Sequence, residues 1–115
     1  MTQTPDSQRI AQLNDQFRQA LGYGTGNNKC YMTQGIMAYS PLQIAEICAI
    51  VKNYDDFTGD NDPYGEHDFG SFTYGGEKIF WKIDYYDNRL KYGSDDPANP
   101  DVTTRVLTIL LASEY

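Results

Sequence analysis

A β-hairpin in the second half of the chain constrains the fold more than any other segment. Residues 70–86 read GSFTYGGEKIFWKIDYY, in which Gly75 and Gly76 separate two runs rich in aromatic and β-branched side chains. Paired glycines suit the tight turns of hairpins, because those turns require positive φ angles. Side chains alternate between the two faces of a strand. We therefore expect one face of the second strand to pack against helices: Ile79, Trp81, Ile83 and Tyr85.

Three other segments carry the signals that begin helices. Thr4 is the predicted N-cap of an amphipathic helix that continues to Leu21, with a proline at its first position. Ser40 and Gln43 form a capping box at the start of a second helix. Asn99 precedes the segment PDVTTRVLTILLASEY, and the same start signal with apolar spacing predicts a third helix that runs almost to the C-terminus.

A short strand is also predicted at residues 29–33, which gives the element order α-β-α-β-β-α. We expect a small antiparallel sheet with a central hairpin packed against helices, which is an α+β fold. At 115 residues the chain has the length of one domain, and we assign residues 1–115 to it.

The apolar runs and the cysteines indicate the cellular compartment. No run approaches the roughly 20 residues that a membrane span requires, and the polar N-terminal segment lacks a signal-peptide pattern. We therefore expect a cytoplasmic protein with no membrane contact. Cys30 and Cys48 lie in apolar surroundings without a CxxC spacing, so we predict reduced core residues rather than a disulfide or a zinc site.

Acidic residues are unevenly distributed along the chain. The net charge is −7, and residues 55–101 hold twelve acids and four bases, a net charge of −8. Residues 55–68 and 87–99 form acidic loops on either side of the hairpin, and their carboxylates form one surface if the loops meet at one edge. Such a surface repels nucleic acid and attracts the basic grooves of nucleic-acid-binding proteins. The predicted partner-binding residues are Asp55, Asp56, Asp60, Asp62, Tyr64, Glu66, Asp68, Asp84, Asp87, Asp95 and Asp96.

A divalent-metal site is the alternative interpretation of the first loop. Hard cations bind clustered oxygen ligands. The spacing does not match an EF-hand, because Tyr64 and Ser71 occupy two of the ligand positions. With a single histidine, the chain also lacks the ligands typical of catalytic zinc. We therefore predict no cofactor and no catalytic residue. The candidate ligands of the alternative are Asp60, Asp62, Glu66 and His67.

Three stretches of the sequence are distinctive: DDFTGDNDPYGEHDFGSF, FWKIDYYD and GSDDPANPDVTTRVLTILLASEY. They resemble a bacterial family catalogued as domain of unknown function 3768, and the resemblance covers about residues 8–115. The family has no assigned activity and no defined catalytic residues, so the resemblance implies no site. It implies a context of bacterial chromosomes, plasmids and other mobile elements.

The charge pattern and this context together predict a small, acidic, non-enzymatic binding protein. Its acidic face would occupy the basic nucleic-acid-binding surface of another protein and so imitate nucleic acid. The expected biological form is an inhibitor of a bacterial defence system, either CRISPR or restriction. The alternative is a divalent-metal-binding protein or metal-dependent enzyme centred on residues 56–68.

Overall fold

Helices cover one face of a four-stranded sheet. The computed structural model of the chain describes residues 5–23 and 26–115. The strands lie in the order β1-β4-β3-β2, with β1 parallel to β4 and the other pairs antiparallel. This arrangement confirms the α+β class. The elements are α1 (Pro5–Gln19), β1 (Lys29–Met32), α2 (Gln34–Met37), α3 (Pro41–Lys52), β2 (Phe69–Tyr74), β3 (Glu77–Tyr86), β4 (Thr104–Leu111) and a 3₁₀ turn (Ala112–Glu114).

The first two predicted helices form as α1 and α3. The predicted N-cap of α1, Thr4, lies outside the described residues. At the start of α3, the Ser40 side chain accepts a hydrogen bond from the Gln43 backbone N–H, and the Gln43 side chain accepts one from the Ser40 N–H. This reciprocal pairing satisfies two of the N–H groups that a helix start leaves without partners.

The predicted third helix is wrong, because the segment from Thr104 to Leu111 forms strand β4. This strand lies between β1 and β3, and most of its residues on both faces are buried. A strand buried on both faces has a nearly continuous apolar sequence, which apolar spacing alone does not distinguish from a helix. The apparent helix start is a turn, in which the Asn99 side chain accepts a hydrogen bond from the Asp101 N–H.

Two predicted features of the sheet also need correction. The sheet is mixed rather than antiparallel, because β1 pairs with β4 in parallel. The hairpin is not central, because β2 lies at the edge of the sheet. Its turn does form as predicted, with positive φ angles of 57° at Gly75 and 84° at Gly76.

The alternation predicted for β3 is confirmed for Ile79, Trp81 and Ile83, while Tyr85 is partly buried against the same core cluster. Ile79, Trp81 and Ile83 are buried, whereas the residues between them are only partly buried. Burying side chains of this size stabilises the fold by roughly 2 kcal/mol each, before the entropic cost of ordering them. The buried cluster consists of Phe17, Leu21, Ile36, Ile47, Val51, Ile79, Trp81, Ile83, Leu107 and Ile109.

The prediction that both cysteines are core residues is wrong for Cys30. Cys30 and Cys48 are both free thiols, but Cys30 is exposed on the edge strand β1 and so does not belong to the core.

Within residues 5–23 and 26–115, no helix has the length and apolar character needed to cross a membrane.

Gly70 on the edge strand β2 lies close to core side chains. It lies opposite Trp81 in the β2–β3 pairing, and a Cβ atom at Gly70 would overlap the Trp81 indole and lie 2.8 Å from Tyr54 Cε1. We predict that Gly70→Ala lowers the free energy of unfolding by about 2 kcal/mol, because both rings must move. Urea denaturation measures the change.

Gly59→Ala provides the matched control, because a Cβ atom at Gly59 would meet no other atom within 4 Å. We expect this variant to stay within about 0.5 kcal/mol of the wild type. Equal losses in the two variants would contradict the close packing assigned to Gly70.

Candidate functional site

The two acidic loops lie at the same end of the sheet. Strand β2 begins, β3 ends and β4 begins at this end, as the pairs Phe69 with Lys82 and Tyr86 with Thr104 show. The Gly75–Gly76 turn lies at the opposite end. We call the loops 53–68 and 87–103 together the acidic end.

Several predicted binding residues expose their side chains at the acidic end. Asp55, Asp56, Asp60 and Asp95 are exposed, and their carboxylates accept no hydrogen bond from the described part of the chain. Asp96 is also exposed. The Tyr64 ring adds an exposed aromatic surface.

Asp87 is more enclosed than these exposed carboxylates. It accepts hydrogen bonds from the backbone N–H groups of Lys91 and Arg89. The pKa of Asp87 is lowered, mainly by the hydrogen bond from the Lys91 backbone N–H. Asp87 therefore shapes the second loop and keeps its negative charge.

Asp62 is an internal residue of the first loop rather than a surface carboxylate. It is only 7% exposed, and its Oδ1 accepts hydrogen bonds from the backbone N–H groups of Glu66 (3.1 Å) and His67 (3.2 Å). His67 has a φ angle of +57°, a conformation that few non-glycine residues adopt. The Asp62 carboxylate therefore stabilises a tight turn in the chain.

His67 lies between two carboxylates. Its Nδ1 atom is 3.0 Å from both oxygens of Asp15 on α1, and its Nε2 atom is 3.8 Å from Asp62 Oδ2. The imidazole stacks on the Phe57 ring with a centroid distance of 4.0 Å and an interplanar angle of 2°. These contacts connect the first acidic loop to α1 and give the histidine a structural role.

Arg18 connects α1 with α3 and is only 1% exposed. Its Nη1 donates to the backbone carbonyls of Val51 (2.8 Å) and Lys52 (3.0 Å), and its Nη2 donates to Asp15 Oδ1 (3.0 Å). Carbonyls at the end of a helix lack partners within the helix and carry partial negative charge, so a guanidinium there is favourable. Burial lowers the pKa of Arg18.

A second chain of hydrogen bonds joins both acidic loops through α1. Arg105 on β4 donates from Nε to Asn14 Oδ1 (2.7 Å) and from Nη2 to the Pro97 carbonyl in the second loop. Asn14 Nδ2 donates to the Glu66 carbonyl in the first loop and to Tyr85 Oη, both at 2.9 Å. Tyr85 in turn donates to Glu66 Oε1 (3.0 Å). We call Asn14, Glu66, Tyr85, Pro97 and Arg105 the polar bridge.

Sequence reasoning missed most of the residues that hold the acidic end together. Asn14, Asp15, Arg18 and Arg105 were not among the predicted site residues, although Asn14, Arg18 and Arg105 are buried. One signal was present in the sequence. Asn14 and Arg18 are four residues apart and interrupt the apolar stripe of α1, so they lie on its core-facing side.

Asp68 and Asp84 differ from the exposed acids in their surroundings. Burial, followed by the negative charge of Glu66, raises the pKa of Asp68 to about 6. The Asp84 carboxylate accepts a hydrogen bond from Lys82 Nζ at 2.7 Å, and this ion pair reduces its contribution to an acidic surface.

The four candidate metal ligands, Asp60, Asp62, Glu66 and His67, have different environments. Asp60 is exposed, whereas the other three contact protein donors or acceptors as described above. Across residues 5–23 and 26–115, no group of three or more His, Cys, Asp and Glu side chains has the arrangement of a metal site.

The raised pKa of Asp68 predicts a pH-dependent stability. Because the folded pKa exceeds that of the unfolded chain, the folded state binds more protons between about pH 4 and pH 6, and stability falls as the pH rises through this range. We predict that Asp68→Asn raises the free energy of unfolding by about 1 kcal/mol at about pH 8, a value that allows for solvent at this half-buried carboxylate. The effect should be small at about pH 4.

Asp60→Asn is the control for this pH dependence, because it removes an exposed charge from the same loop. Urea denaturation of both variants at the two pH values separates burial from general charge relief. The same pH dependence in both variants would show that the environment of Asp68 is not its cause.

A family model described as a protein of unknown function (DUF3768) matches residues 32–114. No curated protein and no solved structure matches the chain. The matched range contains the sheet from Met32 onward and both acidic loops, while α1 lies outside it. Because the match covers most of its length, the chain belongs to the family of domain of unknown function 3768.

Proposed function

We propose that this protein is a cytoplasmic, non-enzymatic binding protein whose acidic end engages a basic nucleic-acid-binding surface on another protein. The observation that carries the proposal is the placement of both acidic loops at one end of the sheet, where the polar bridge joins them. In its specific form, the protein inhibits a bacterial CRISPR or restriction system by imitating nucleic acid.

The balance of exposed charge at the acidic end supports this proposal. Arg18 and Arg105 are buried, and their guanidinium groups face internal acceptors rather than the surface carboxylates. Arg89 and Lys91 are exposed in the second loop, but the exposed acids of the two loops outnumber them. The acidic end therefore presents net negative charge to a partner.

Internal contacts of the loops favour binding as a preformed surface. Asp62 holds the turn at residues 65–67, and the polar bridge fixes Glu66 relative to Pro97. A surface that is already ordered loses less conformational entropy on binding than a flexible acidic tail does. Carboxylates at fixed positions can therefore compete with the regular phosphate charges of DNA, which are about 1.7 Å apart along the axis.

Repulsion makes direct binding of nucleic acid by the acidic end unfavourable. Nucleic-acid-binding proteins gain most of their nonspecific affinity from lysine and arginine contacts with phosphates. The acidic end instead presents carboxylates, which repel phosphate groups. The partner is accordingly a protein rather than DNA or RNA.

A phage-challenge assay tests the inhibitor. Cells that carry a defined restriction or CRISPR system express the protein and are infected with a targeted phage. We expect plaque counts to rise with the wild type, and to return toward the vector level with Asp55→Asn/Asp56→Asn or with Asp95→Asn/Asp96→Asn. Each pair removes two charges from the acidic end, and charge complementarity with phosphate-binding surfaces is the basis of the mimicry.

Glu46→Gln/Glu77→Gln is the matched control, because it removes the same charge from residues outside the acidic end. The glutamine amide oxygen at position 46 can still accept the hydrogen bond that Glu46 receives from Tyr74. The control should protect phage as well as the wild type does. An equal loss of phage protection in the control variant would contradict the inhibitor proposal. So would a folded wild-type protein that protects phage against none of the systems tested.

The purified effector of a protected system then allows a direct binding test. We expect the wild type and double-stranded DNA to compete for it, with affinity that falls as salt rises. Simultaneous binding of DNA and protein would contradict the mimic mechanism.

A further inference from the structure

A cleft of about 470 Å³ lies beside the polar bridge, between α1, the segment before β1 and the second acidic loop. Its size is within the range of small-molecule sites. Its lining is mainly polar and includes several side-chain amides. The residues that define its chemistry are Gln16, Asn27, Asn28, Asn88, Asp101 and Arg105.

Arg105 is the unusual member of this lining, because it is a buried cation without a carboxylate partner. It is only 2% exposed, and no Asp or Glu oxygen among residues 5–23 and 26–115 lies within 4.0 Å of its guanidinium. The other buried arginine, Arg18, has Asp15 at 3.0 Å. A buried charge is costly unless a counter-charge or sufficient hydrogen bonds compensate it.

Arg105 lines the cleft, and its hydrogen bonds use two of its three guanidinium nitrogen atoms. Its Nε and Nη2 atoms donate to Asn14 Oδ1 and to the Pro97 carbonyl, whereas Nη1 donates to no acceptor in the described residues. The Tyr85 ring lies 5.3 Å from the guanidinium carbon and contributes a cation–π contact. These contacts fix the guanidinium at the wall of the cleft.

Burial is the main cause of the lowered pKa of Arg105, because it disfavours the charged form of the guanidinium. The positive charge of Arg9 lowers this pKa further, whereas Tyr85 and Glu66 raise it. An anion in the cleft would offset the cost of burial, and Asp101 at the edge of the cleft opposes its entry. Guanidinium groups bind carboxylates and phosphates through directional, charge-assisted hydrogen bonds.

We infer that this cleft binds a small polar molecule through an anionic oxygen group, a carboxylate or a phosphate, with Arg105 as the charged donor. The side-chain amides that line the cleft provide further hydrogen-bonding groups for the rest of the ligand. The cleft borders the second acidic loop, but none of the carboxylates predicted to bind the partner lines it. Its ligand is an anion, whereas the partner of the acidic end is basic.

Titration of the isotope-labelled full-length protein with defined anions tests the site. The probes are acetate, inorganic phosphate and adenosine monophosphate, with sodium chloride at equal ionic strength as the reference. We expect saturable shifts of the Arg105 Nε–H and the Asn27 side-chain amide resonances below about 10 mM for at least one probe. Saturation by acetate alone assigns a carboxylate ligand, and saturation by either phosphate compound assigns a phosphate ligand.

Substitutions at the mouth of the cleft avoid disturbing the buried arginine. Gln16 is exposed and lines the cleft, so Gln16→Glu should weaken binding about fivefold and Gln16→Lys should strengthen it by a similar factor. Asp101→Asn should also strengthen binding. The matched controls are Gln19→Glu and Gln19→Lys, since Gln19 is exposed on the same helix but does not line the cleft.

Two results would overturn the anion site. One is the absence of saturable shifts at Arg105 with all three probes while the protein remains folded. The other is an equal change in affinity for the Gln16 and Gln19 variants, which would show that the anions respond to overall charge and not to the cleft.

Discussion

The hydrogen bond between Arg105 and Asn14 is the interaction on which the arrangement of the functional end depends. It attaches α1 to the central strand β4, and from Asn14 and Arg105 further hydrogen bonds reach Glu66 in one acidic loop and Pro97 in the other. Buried hydrogen-bond networks are costly when incomplete and fix one arrangement when satisfied. A set of internal polar contacts therefore determines where the exposed carboxylates lie.

Buried positive charges and exposed negative charges have separate roles in this molecule. Arg18 binds the last carbonyls of α3 and Asp15, and Arg105 binds Asn14 and a loop carbonyl. Within the described residues, neither arginine forms an ion pair with an exposed aspartate of the acidic end. The structure thus uses cations as internal connectors, and the resulting surface has the net charge that the proposed partner binding requires. Arg105, which has no carboxylate ion-pair partner among the described residues, also gives the adjacent cleft its chemical character.

Sequence patterns predicted local structure more accurately than tertiary roles. The hairpin turn and the capping box of α3 followed from glycine conformations and from one reciprocal pair of side chains, both of which are local. The strand β4 was mistaken for a helix because its burial on both faces depends on its neighbours in the sheet. In the first loop, Asp62 and His67 looked like surface or metal-binding groups. Their partners include Asp15, 52 residues before His67, and no local pattern indicates such a contact.

Hydrogen exchange of Asn14→Ala, compared with Gln19→Ala on the exposed side of the same helix, tests the central role of the polar bridge most directly. The backbone amides to follow are those of Glu66 and His67 in the first loop and of Ser94 and Ala98 in the second. We expect Asn14→Ala to reduce protection in both loops together by at least about tenfold, while Gln19→Ala leaves it unchanged. Loss of protection confined to one loop, or to α1 alone, would contradict the account that one buried network holds both acidic loops in place.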